Sequence, residues 1–130
     1  MSRAAWWAIA GAILCGLAVA AGAFGAHGLR DTVTERRLEA WQVAAHYQLV
    51  HGLVLLALGL GSESVIVVRA GLLAWAARAF IIGVIVFSGS LYVLVLTDTA
   101  MLGAVTPFGG VLIMVGWALV VGALSPRRST

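Results

Sequence analysis

Four long runs without a charged residue set the limits on what this chain can become. They are Trp6 to Ala26, Trp41 to Leu60, Phe80 to Leu96 and Phe108 to Leu124. A helix that crosses about 30 Å of hydrocarbon needs about 20 apolar residues at 1.5 Å each. With 130 residues, four such crossings leave only loops, and none of the runs alternates as a barrel strand does. The composition agrees: 62% of residues are apolar and 10% charged, and mean hydropathy is +1.07. A soluble domain carries about 45–50% apolar and about 25% charged residues, so this chain could not cover its surface with polar groups. Disorder is excluded for the converse reason. The 16 glycines show no three-residue period and there are two prolines, which excludes collagen. The sequence predicts an all-α, four-helix transmembrane bundle in one domain, with spans at about 6–26, 41–60, 78–97 and 107–124.

The boundaries have their own signals. Trp6, Trp7, Trp41, Trp75 and Tyr92 bracket the runs, as expected of indole and phenol rings that prefer the headgroup region. Thr106-Pro107 suits the start of the last helix, with threonine as cap and proline in the first turn. Thr32-x-x-Glu35 matches a capping box and opens a helix without a breaker to Leu60, about 28 residues or about 42 Å. Such a helix must project from the bilayer or tilt. Arg3, the apolar run and Ala18-Val19-Ala20 imitate a signal peptide. The run of about 21 residues exceeds the usual 7–15, so a retained span is expected. Eight arginines and no lysine give a net charge of +3. They are split among loops and ends, which speaks for membrane orientation and against nucleic acid. Arg3, Arg69, Arg78, Arg127 and Arg128 fall on one side and Arg30, Arg36 and Arg37 on the other. The expectation is a multi-pass protein of the cytoplasmic (inner) membrane with both termini in the cytoplasm.

In lipid, helices associate by close backbone approach and a few interhelical hydrogen bonds. The first span offers two rows at four-residue spacing, Ala8-Ala12-Gly16-Ala20 and Ala18-Gly22-Ala26. Ala79-x-x-x-Gly83 and Ala118-x-x-x-Gly122 continue the theme. The lone Cys15 reads as a small packing residue. Polar residues concentrate in the second helix and sort into two stripes at 100° per residue. One holds Glu35, Glu39, Gln42 and His46; the other holds Tyr47, Gln48 and His51. Two stripes imply two partner surfaces, or one contact within the chain and one with an oligomer partner. His46 and His51 are five apart, about 140° around a helix, whereas two ligands of one metal want four-residue spacing. No metal, haem or other cofactor is therefore expected. Ser88 and Ser90 have no adjacent base, and Asp98 terminates the third span, so no catalytic constellation is visible and an enzyme is not expected.

Taken together, Gly22-Ala-Phe-Gly-Ala-His-Gly-Leu29, Tyr47-Gln48-x-x-His51, Phe87-Ser-Gly-Ser-Leu-Tyr92, Thr106-Pro-x-Gly-Gly110 and Gly116-Trp-Ala-Leu119 resemble the YgdD-like family of small inner-membrane proteins (domain of unknown function 423). The resemblance covers nearly the whole chain and implies a four-helix integral membrane protein; it brings no activity. The chain departs from the pattern between Gly61 and Ala79, where Arg69 and Arg78 interrupt an apolar stretch. A polar cluster of His27, Tyr47, Gln48, His51, Tyr92 and Thr106 opening to the external face is the candidate site. Its simpler role is a hydrogen-bonded plug, and its sharper role is a site for a lipid headgroup, quinone or small solute. The expected function is a non-enzymatic accessory or small-ligand or lipid-binding bundle, in contact with the lipid bilayer and with a homo-oligomer or membrane-complex partner. The alternative is a small oligomeric transporter or channel with its polar site near His51.

Overall fold

The computed structural model describes residues 1–64, 66–67 and 69–126; Arg127 and Arg128, counted above for orientation, lie outside them. Every regular element among the described residues is helical. Helix α1 (Arg3–Phe24) runs into a π-helical turn (Gly25–Leu29), followed by α2 (Glu35–Gly61) and α3 (Ala70–Thr97). A 3-10 turn (Ala100–Ala104) then leads into α4 (Thr106–Leu124). All four α-helices are long and apolar enough to cross a membrane. Helix α1 packs on α2 and α4 on α3, while α2 and α3 join the two pairs.

Several helix ends differ from the sequence expectation in informative ways. Thr34, not Thr32, caps α2: its Oγ1 accepts the Arg37 amide at 3.3 Å. Thr32 instead donates to the Leu29 carbonyl at 3.2 Å, bonding back into the preceding turn as threonine readily does. The length of α2, 27 residues, matches expectation because nothing within it breaks the helix. Thr106 does not cap α4; it is the first helical residue, and its hydroxyl pairs with Ser90 at 2.7 Å. The 3-10 turn just ahead leads directly into α4, so a side-chain cap is not required there. Helix α3 reaches back to Ala70, with Arg69 anchored by its amide to Ala123 O (3.1 Å) and by its guanidinium to Gly122 O (3.2 Å). At the other end Asp98 takes the left-handed conformation (φ 53°) and stops α3. A short polar side chain tolerates that conformation better than most.

Packing follows the expected logic but a different row. On α1, Ala4, Ala8, Gly11, Cys15 and Ala18 face α2, alternating steps of four and three. A Cβ on Gly11 would lie 2.5 Å from Gly52 O, and one on Gly59 2.6 Å from Ala4 O. Gly16 and Gly22, from the predicted rows, have open space instead. A strict four-residue row advances about 40° per step at 100° per residue, so it winds off the partner; alternating steps keep to the seam. Between α3 and α4, Gly109 lies against the Phe87 backbone and Gly116 against the Phe80 ring.

Leu55, Ala76, Ala77, Phe80, Val84 and Ile113 form the main core, and Leu29, Trp41 and Val95 a second one toward the Asp98 end. Trp41 is thus not a headgroup anchor. It is 6% exposed, donates its indole N–H to Ala21 O at 2.7 Å, and packs on Phe24 and Tyr92 with ring centroids 5.5 and 4.5 Å apart. Trp6 and Trp75 do remain exposed, and Arg78 folds its guanidinium back over Trp75 at 4.8 Å.

Candidate functional site

Depth comes first, because a polar group in hydrocarbon is governed by how far it lies from water. Gln48 is the middle residue of α2, and Leu14 and Val84 are near the middles of α1 and α3. These three line one hollow, so the helix centres share a level. At 1.5 Å per residue His46 lies about 3 Å from that level on one side and His51 about 4.5 Å on the other. Gln42 is about 9 Å away from it.

The inner stripe of α2 is spent on the chain itself. Gln48 Nε2 donates to Leu14 O at 3.0 Å, and its Oε1 accepts the Tyr92 hydroxyl at 2.7 Å. One side chain therefore ties α1, α2 and α3 together. His51 is 5% exposed. Its Nδ1 lies 2.8 Å from Tyr47 O, and its Nε2 lies 3.2 Å from the indole nitrogen of Trp117. An indole N–H only donates, so Nε2 is the acceptor and Nδ1 carries the proton. The ring is neutral, and both nitrogens are engaged. Phe80 packs on it at 5.5 Å and Trp117 edge-on at 6.0 Å.

The candidate residues do not form one cluster. Gln48 and Tyr92 pair; His51 pairs with Trp117; Thr106 pairs with Ser90. Tyr47 is 39% exposed and stacks on Phe87 at 4.4 Å. His27 is exposed on the π-helical turn, apart from these pairs. Trp117, Ser88 and Ser90 were not among the candidates. Ser88 is buried and donates to Ala44 O at 2.8 Å. The signal for these lay in small polar residues within an apolar span, which in lipid usually mean an interhelical bond.

Two hollows border this scaffold. One, about 370 Å³, lies between α2 and α4 and is lined by His46, Tyr47, Val50, His51, Ile113, Met114 and Trp117. The exposure of Met114 (63%) and Trp117 (44%) opens it sideways, toward lipid. The other, about 470 Å³, sits at the Asp98 end beside Thr34, Arg36, Arg37, Leu94, Asp98 and Gly103. There the Arg37 guanidinium donates to Val95 O and lies 3.6 Å from Asp98 Oδ1. No three metal-ligating side chains come together among the described residues.

Four apolar helices, each long enough to cross a membrane and knit near their middles by interhelical hydrogen bonds, define a small polytopic membrane protein. The model of the family described as "Protein of unknown function (DUF423)" matches residues 21–110, and the chain belongs to that family. A UPF0382 membrane protein of Staphylococcus aureus is 46% identical over 115 residues, covering 87% of this chain and 89% of the relative. Similar proteins of Staphylococcus epidermidis and Staphylococcus saprophyticus are 45% and 44% identical, covering 89% and 91% of their lengths. No solved structure matches the chain.

Proposed function

We propose that the protein is a non-enzymatic binding module of the cytoplasmic membrane, taking an apolar chain or flat ring of a bilayer constituent into the groove between α2 and α4. The observation that carries this reading is the state of His51. Both of its nitrogens are occupied by Tyr47 O and the Trp117 indole, so the best-placed base in the bundle is holding helices together. Gln48, Tyr92, Ser88 and Ser90 are engaged in the same way. What remains available at lipid depth is surface: Tyr47, Met114 and Trp117 around a groove of about 370 Å³, apolar and aromatic as small-molecule sites generally are. A transport path through His51 draws less support, since the ring is packed between Phe80 and Trp117. Orientation with both termini in the cytoplasm rests on the arginine distribution of five against three.

Reconstitution into vesicles containing a phospholipid with a photoreactive acyl chain tests the groove. Labelling is expected to concentrate on the peptides bearing Tyr47 and Met114, above that on the exposed flank at Val19 and Ile82, and to drop when Met114→Trp fills the groove. Uniform labelling of all flanks, unaffected by Met114→Trp, would overturn the reading.

A further inference from the structure

The polar side chains on the outer stripe of α2 have no hydrogen-bond partner among the described residues. Glu35, Glu39, Gln42 and His46 are all exposed, and neither Gln42 nor His46 hydrogen-bonds another described side chain or backbone group. Glu35 and Glu39 lie in the outer turns of α2, but Gln42 and His46 sit within about 9 Å of the middle of that helix, inside the stretch apolar enough to cross a membrane. A carboxamide and an imidazole turned toward hydrocarbon are costly, and polar groups at that depth normally find a partner across a helix interface. The same face continues toward the Gly61 end as Leu53 and Leu60, 52% and 77% exposed. From Gln42 onward, positions 42, 46, 49, 53, 56 and 60 step by four and three in alternation, with Leu49 and Leu56 half-buried at the edge toward α1. That is the spacing of a helix–helix seam, polar in one half and leucine in the other.

We propose that this face of α2 docks on the same face of a second copy, forming a two-fold dimer with its axis along the membrane normal. The occupant follows from the chemistry of the stripe. A two-fold axis sets each residue against its own copy, which is favourable only where the residue both donates and accepts. Gln42 does so through its carboxamide, and the imidazole of His46 offers two ring nitrogens, of which one can donate and the other accept. No charged residue falls on the face between Trp41 and Leu60, so like-charge repulsion between copies is confined to Glu35 and Glu39, in the turns of α2 beyond the docking contact. The leucine half then packs symmetrically. A polar pair within an otherwise apolar seam fixes register and the number of helices, giving Gln42 and His46 a role distinct from that of Gln48 and His51. The seam borders the groove at His46 but does not depend on what the groove holds.

The test is oxidative cross-linking in native membrane vesicles, with Cys15→Ser carried throughout. Leu53→Cys and Leu60→Cys are expected to yield a band of twice the chain mass, while Val19→Cys and Ile82→Cys on other exposed flanks yield none. Adding Gln42→Leu and His46→Leu to Leu53→Cys is expected to reduce that band to the control level, with the monomer still inserted. Equal cross-linking at all four cysteines, a band retained in the combined variant, or cross-linking only to a different protein would each overturn the proposal.

Discussion

Helix α2 carries a glutamine and a histidine on each of two faces, and the two pairs meet opposite surroundings. Gln48 and His51 are 6% and 5% exposed and are satisfied by Leu14, Tyr92, Tyr47 and Trp117. Gln42 and His46, at comparable depth, stand exposed and without a hydrogen-bond partner among the described residues. A polar group in lipid must be bonded or it destabilises the state it is in. The inner pair therefore works within one chain, as cross-braces among all four helices. Among the described residues nothing bonds the outer pair, and in the proposed dimer its effect belongs to association. Disturbing the inner face should cost fold stability; disturbing the outer face should cost only the dimer.

That contrast can be broken in order of expected size. Trp41→Ala removes the largest buried ring of the Asp98-end core together with the bond to Ala21, and a loss of about 3–5 kcal/mol is expected in a reversible unfolding titration in mixed micelles. Gly109→Ala sets a methyl group against the Phe87 backbone and should cost about 1–3 kcal/mol. Gly16→Ala, on the open side of α1, should stay within about 0.5 kcal/mol in the same assay. If the two glycine changes cost the same, the packing seam is misplaced. For Gln48 and Tyr92, a double-mutant cycle with Gln48→Leu and Tyr92→Phe should give a coupling of about 0.6 kcal/mol, the average for interhelical bonds in membranes, and no more than about 1.7 kcal/mol. The smallest effect is expected for Gln42→Leu with His46→Leu, whose unfolding free energy should match the parent within about 0.5 kcal/mol.

Much of this arrangement is legible in the residues and some is not. The uncharged runs suffice for four helices because hydrocarbon leaves few alternatives, and the angular sorting of polar residues correctly separates two stripes on α2. Which stripe turns inward depends on neighbours that periodicity cannot name: Leu14 and Tyr92 come from helices distant in sequence. The same limit explains Trp41, whose position at a span boundary suits a headgroup anchor until Gly25 leaves room for its indole. It explains α1 as well, where Gly16 and Gly22 fit a four-residue motif but the seam alternates by three and four. Thr32 has the capping-box spacing, yet Thr34 makes the cap, because the path of the chain out of the π-helical turn directs Thr32 back onto Leu29 O. His27, grouped with the polar residues by its position, is carried away from them by that turn.

Energy transfer between donor- and acceptor-labelled copies in lipid vesicles, read together with the unfolding midpoint of the same samples, tests the contrast between the two faces most directly. Gln42→Leu with His46→Leu should bring transfer down to the level of random encounters and lower the midpoint only by what association contributes, whereas Gln48→Leu with His51→Leu should lower it well beyond that. Parent-level transfer in the outer-face variant, or a midpoint loss as large as that of the inner-face variant, would contradict the account.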